Sequence, residues 1–169
     1  MRDTDLNHSG SPGIRAQDIW VSPLALEGFY ENFATGIDDL SGITITGDAT
    51  TPEKLIDNLF GVGDRAEFDV IGEYIELDFG APVYIGQFRY YGHASHNEDG
   101  VYKIQAYING AWVDVKNAIP TILGDWSAWT DLTIPSIAIR WRVVATTIDT
   151  NVNTDNKAVE WEFSGVRIS

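Results

Sequence analysis

Glu73-Tyr74-Ile75-Glu76-Leu77-Asp78-Phe79 is the stretch on which the fold turns. Ile75, Leu77 and Phe79 alternate with Glu76 and Asp78, and a period of two places the apolar side chains on one face of a strand and the carboxylates on the other. One face packs and the other meets water, as in an antiparallel sheet. Gly80-Ala81-Pro82 follows; it combines turn formers with a residue that has no backbone N–H, so the strand is expected to stop there.

The pattern recurs on both sides of this stretch. Residues 83–91 are again β-prone. Val101-Tyr102-Lys103-Ile104-Gln105-Ala106-Tyr107-Ile108 runs into Asn109-Gly110, a strong two-residue hairpin signal, and Trp112-Val113-Asp114-Val115 returns from it. Ile137-Ala138-Ile139-Arg140-Trp141-Arg142-Val143-Val144 reads as another strand. Val159-Glu160-Trp161-Glu162-Phe163 closes the chain with Val159, Trp161 and Phe163 on one face. Upstream, Ile43-Thr44-Ile45-Thr46-Gly47 is a short strand, and Thr51-Pro52-Glu53-Lys54-Leu55-Ile56-Asp57-Asn58 holds one helical turn with Thr51 or Pro52 at its start. No long helical period intervenes, which predicts an all-β antiparallel sandwich rather than a parallel α/β sheet.

The sandwich is assigned to residues 43–169 and an extended N-terminal arm with its connecting segment to residues 1–42. The arm is rich in turn formers, notably Ser9-Gly10-Ser11-Pro12-Gly13, and its one strongly β-prone patch is Ile19-Trp20-Val21. That patch is the candidate interface, docking either on its own sandwich or on a neighbouring chain. The N-terminus lacks the apolar region of a signal peptide, and no apolar run approaches the roughly 20 residues of a membrane span. The expectation is therefore a protein neither embedded in a membrane nor exported by a cleaved signal.

With 169 residues, 44% of them hydrophobic and 12% aromatic, the chain supports one core of ordinary size. It has no cysteine, so disulfides and thiolate metal sites are excluded. Its formal net charge of −14 opposes approach to nucleic acid or an anionic membrane. Solubility accounts for the charge, and clustered carboxylates leave cation binding open.

The order of features from Glu53 onward resembles the discoidin (coagulation-factor C-type) domains and the galactose-binding-like family 32 carbohydrate-binding modules. Leu55-Ile56-Asp57-Asn58, Tyr74-Ile75-Glu76-Leu77-Asp78-Phe79-Gly80 and Ile85-Gly86-Gln87-Phe88-Arg89-Tyr90-Tyr91-Gly92 carry the likeness. So do the hairpin through Asn109-Gly110-Ala111-Trp112 and the closing Glu160-Trp161-Glu162-Phe163-Ser164-Gly165. The resemblance spans about the last two thirds of the chain and implies a jelly-roll sandwich of two antiparallel sheets.

It also implies sites. A structural calcium (Ca2+) would be caged by the Asp57 side chain, the carbonyls of Lys54 and Leu59, and Glu160 with the carbonyl of Val159, a donor set of the kind calcium takes. Val62 stands where the family has a threonine. The alternative is that Asp57 caps a turn and Glu160 faces solvent. A sugar site is implied around Gly92-His93-Ala94-Ser95-His96-Asn97, with His93, His96 and Asn97 supplying polar contacts and Phe60 or Trp126 the stacking platform. A solvated polar loop is the alternative. Trp126 and Trp129 are either exposed for an interface or part of the core. Asp149-Thr150-Asn151-Val152-Asn153-Thr154-Asp155-Asn156-Lys157 reads as a surface loop.

No nucleophile elbow, metalloprotease helix, P-loop or dinucleotide turn is present. The leading expectation is thus a non-catalytic interaction or structural module of a larger assembly, such as a bacteriophage virion component in head decoration, tail or baseplate, with protein partners reached through the arm. The alternative is a carbohydrate-binding module or a glycan-recognising adhesin.

Overall fold

A computed structural model describes residues 31–32, 42–57, 59, 63–94, 100–149 and 155–168. Its strands are β1 (Glu31–Asn32), β2 (Thr44–Gly47), β3 (Ala66–Phe68), β4 (Tyr74–Gly92), β5 (Val101–Ile108), β6 (Ala111–Pro120), β7 (Thr130–Thr147) and β8 (Asn156–Arg167), with one 3-10 helix over Pro52–Ile56. All pairings are antiparallel. The expected patch Ile19-Trp20-Val21 lies outside the described residues, as do Phe60, Val62, His96 and Asn97. Glu31–Asn32, inside the stretch read as arm and connection, pairs with Ser164–Gly165 of β8 and so belongs to the sheet. Among the described residues no helix is long and apolar enough to cross a membrane.

The expected stop at Gly80-Ala81-Pro82 does not occur. β4 runs through it, and its register against β7 slips between Asp78 and Val83. Gly80, at φ 67°, takes a backbone conformation that suits glycine, and Pro82, with no N–H to lose, accepts from Ile168 through its carbonyl at 2.9 Å. The irregularity bends the strand instead of ending it. The first half of β4 pairs with β2 and the second half with β8, while β7 accompanies β4 through both. All eight strands thus join in one continuous sheet, in the order β1-β8-β4-β7-β5-β6 with β2 added to β4 and β3 to β8, and the two long strands β4 and β7 run side by side through its middle.

At the hairpin, Asn109 and Gly110 have φ 51° and 83°, both positive as its tight turn demands. Asp149, read as surface loop, is fully buried, and Asn156 and Lys157 are buried in β8. Asn156 Oδ1 accepts from the Asp149 N–H at 2.8 Å and its amide donates to the Thr147 carbonyl at 2.6 Å, which folds the loop base inward.

Ile75, Leu77 and Phe79 point into the core as the alternation predicts, with Trp141, Val143, Trp161 and Phe163. Trp161 is its centre, with ring centroids of Tyr90 at 4.9 Å, Tyr102 at 5.6 Å and Phe88 at 5.7 Å. Burial pushes the Tyr90 phenol up to about 12 and holds that of Tyr102 well above its ordinary value. An unfolded phenol ionises near 10, so the stabilisation from these two groups is complete below about pH 10 and is lost as pH rises toward 12. Melting temperature should therefore fall steeply across that interval. Tyr90→Phe should flatten the decline, as thermal melts at stepped pH would show.

Candidate functional site

Past the slip at Gly86, β4 alternates again. Phe88 and Tyr90 turn inward and are buried, while Arg89 and Tyr91 turn outward. Residues 121–129 fold back over this outer face. Ser127 N–H donates to the Tyr90 carbonyl at 2.8 Å, Gly92 N–H to the Asp125 carbonyl at 3.1 Å, and the Tyr91 hydroxyl to the Gly124 carbonyl at 2.9 Å. Gly92 permits the approach: a Cβ there would sit 1.8 Å from the Ile122 carbonyl oxygen.

The fold-back brings both loop tryptophans onto Arg89. Its guanidinium carbon lies 4.3 Å from the Trp126 ring centroid and 4.9 Å from that of Trp129, and Tyr91 meets Trp126 edge-on at 5.6 Å. Nε of Arg89 donates to the Glu162 carboxylate across the β4–β8 ladder. That carboxylate is only 5% exposed, so the guanidinium neutralises a nearly buried charge. Arg89 makes one hydrogen bond among the described residues, and its terminal N–H groups remain to donate to oxygens of a ligand. Trp129 keeps 38% of its surface exposed, enough to offer a ring face to an apolar ligand surface. A planar donor fork between indole planes can hold the C–H face and the hydroxyl or carboxylate oxygens of one small polar ring.

Trp126 is thus at this face, half-buried, whereas His93 is buried, at 5% exposure. The remaining expected sugar contacts, Phe60, His96 and Asn97, lie outside the described residues. Arg89 and Tyr91 were missed as site residues, whereas Trp129, weighed beside Trp126 as an interface aromatic or a core residue, is exposed. The signal available was the period of two: with Phe88 and Tyr90 in the core, positions 89 and 91 must face out.

At the expected calcium cage, the helix Pro52–Ile56 packs on β8 and Glu160 is fully buried, which removes its solvent-facing reading. Asp57 Oδ2 is 3.0 Å from the Lys54 ammonium and Oδ1 accepts from the Leu59 N–H at 3.1 Å. Asp64 also pairs with Lys54, at 3.0 Å, and the hydrogen bonds that the ammonium donates to Asp57 and Asp64 raise the lysine pKa and keep it charged. An ammonium therefore engages the Asp57 carboxylate that the cage would offer its cation; Val159, the cage's remaining donor, is buried in β8. As arranged, these residues do not fit calcium. A separate acidic cluster joins Glu67, Asp69 and Asp155, but Arg65 pairs with Glu67 at 2.7 Å and Lys157 with Asp155 at 2.9 Å, so two of its three charges are already balanced.

No family model matches the chain, and no curated protein sequence does. Solved structures match well in fold. The family 32 carbohydrate-binding module of C. perfringens NanJ, in complex with galactose, superposes with a TM-score of 0.61 at 12% identity, over 80% of this chain and 98% of that one. The C-terminal domain of a chitobiase from Bacteroides fragilis gives 0.60 at 14% identity, over 82% and 100%. The family 32 module of AlyQ, in complex with 4,5-unsaturated mannuronic acid, gives 0.55 at 17%, over 79% and 97%. Against a truncated AlyQ that includes alginate lyase domains, the chain spans 34% of the longer protein. The fold is that of the galactose-binding-like family 32 modules, as the resemblance implied.

Proposed function

We propose that this domain is a non-catalytic carbohydrate-binding module that grips its sugar on the face of Arg89, Trp126 and Trp129. The observation that carries the reading is the Arg89 guanidinium lying over two indole rings, those of Trp126 and Trp129. Fold neighbours solved with galactose and with an unsaturated mannuronic acid support it. They favour this reading over the virion module, to which nothing in the comparisons points. The guanidinium suits either a neutral or an acidic pyranose, since it donates to hydroxyl and carboxylate oxygens alike.

A glycan array probed with the wild-type domain and with Trp129→Ala tests the proposal. Wild type should retain a defined set of galactosides or uronates. Trp129→Ala should lower retention at least about tenfold, the loss of a contact worth about 1.4 kcal/mol, with its melting temperature preserved because the ring is already partly exposed. No retained glycan at all would overturn the reading.

A structural calcium is the finer reading that the resemblance adds, and it requires Lys54 to swing away from Asp57. The ion pair stands against it. Calcium at a hundredfold its Kd would add about 2.7 kcal/mol, roughly 5–10 °C for a domain of this size. We expect melting temperatures in millimolar calcium and in EDTA to agree within about 2 °C. A rise of about 5 °C or more would mean that Lys54 yields and the cage forms.

A further inference from the structure

Where β6 ends and β7 begins, those strand ends, the second half of β4 and the connecting loop line a cleft of about 310 Å3. Its floor is the core itself: Phe88 and Tyr90 line it at 1% and 4% exposure, with Ile119 and Ile122 on the walls. Both walls are fixed. The Tyr90 hydroxyl donates to the Pro120 carbonyl on one side. On the other, Ile122 is seated on Gly92 and the neighbouring Thr121 N–H donates to the Gly100 carbonyl at 2.8 Å. A cleft held open in this way needs little ordering when it fills.

The β6 wall is a bulge. Ile104 pairs with Lys116 and Tyr102 with Ile119, so β6 has one residue more than its partner there. Ala118 takes φ 53°, a left-handed conformation unusual for a residue with a Cβ. Bulges re-aim side chains beside binding sites, and here Lys116 lies at the cleft. One of its N–H groups reaches the Asp131 backbone carbonyl at 3.1 Å. Lys54, Lys103, Lys157, Arg65, Arg89 and Arg140 each have a carboxylate partner, but Lys116 has no ion pair among the described residues. In a chain of net charge −14, an ammonium without a carboxylate at an apolar cleft has charge complementarity for an anion.

We infer that this cleft binds a small amphipathic carboxylate, its apolar body against Phe88, Ile119 and Ile122 and its carboxylate accepting from Lys116. The site is separate from the sugar face. Residues 121–129 present Trp126 and Trp129 to Arg89 and Ile122 and Ser127 to the cleft, so the two sites share a loop but no side chain.

Three probes with one apolar body separate charge from fit: 3-phenylpropionate, 3-phenylpropan-1-ol and 3-phenylpropylamine, titrated into the isotope-labelled full chain and followed at the amides of Ile119, Ile122 and Thr130. The carboxylate should bind about fivefold more tightly than the alcohol, with the amine weakest. Lys116→Met should bring the carboxylate down to the alcohol, and Lys116→Arg should restore the preference. Thr130→Trp, on the rim, should block both, and if that variant fails to fold the Lys116 pair still decides. Equal binding of the three probes, a carboxylate preference that survives Lys116→Met, or no shift at these amides would overturn the inference.

Discussion

Trp161→Ala is expected to lower the unfolding free energy by about 4 kcal/mol, the cost of emptying a fully buried aromatic site, and the melting temperature by roughly 10 °C. The size follows from position. Trp161 is fully buried and touches Phe88, Tyr90, Tyr102 and Phe163 through ring contacts between 4.9 and 6.2 Å, so side chains from three strands lose their common neighbour. Because β4 is fixed by long ladders to β7 on one side and β8 on the other, the cavity cannot close by collapse. Trp161→Phe separates volume from polarity. Its indole N–H is buried without a hydrogen-bond partner, so phenylalanine discards an unsatisfied donor, and the loss should stay below about 1.5 kcal/mol. Urea titration of both variants checks this through the midpoint at constant m-value. A loss under about 1 kcal/mol for Trp161→Ala would mean that the core is centred elsewhere.

Arg89→Ala should act on stability and binding together. It strands the Glu162 carboxylate, 5% exposed, without its cation. Removing one partner of a buried pair costs about 3–5 kcal/mol; with Arg89 itself 30% exposed, about 2 kcal/mol is the reasonable figure here after solvent screening. It also removes the plane between Trp126 and Trp129, so glycan retention should vanish. Arg89→Lys distinguishes the two effects. An ammonium still balances Glu162 and should recover most of the stability, but it has no flat fork for the indoles and should not recover binding. Thermal melts beside array retention make the comparison. Recovery of binding by lysine would show that charge alone is recognised there.

The sequence shows the strands better than their continuity. Ile75, Leu77 and Phe79, the Asn109-Gly110 turn and the closing run at Trp161 are each set by local chemistry, and each is where the pattern puts it. Gly80-Ala81-Pro82 misleads because the same residues that end a strand also form a bulge, and only the pairing of β4 with β7 and β8 beyond it decides between the two. Pro135 raises the same ambiguity in β7; it is exposed on the edge-facing half of that strand, where a missing N–H costs little. Trp126 was legible as a loop aromatic, but its partner Arg89 was not. Outward orientation follows from alternation, whereas the fold-back of residues 121–129 depends on backbone pairing of Asp125 with Gly92 and of Ser127 with Tyr90, far apart in sequence, which no short pattern encodes. Glu160, which the alternative to the cage placed in solvent, is fully buried, and Glu162 on the same face of β8 is buried with it; a charge pattern alone does not reveal the elements packed on that face.

The most direct test of the sugar-binding face is a titration of the indole N–H signals with the glycan that the wild-type domain retains best. The account predicts that Trp126 and Trp129 shift together with saturation while the core signals of Trp141 and Trp161 and the distant Trp112 stay in place. Saturable binding that moves none of the Trp126 and Trp129 signals would contradict it, and would place the sugar elsewhere on the sandwich.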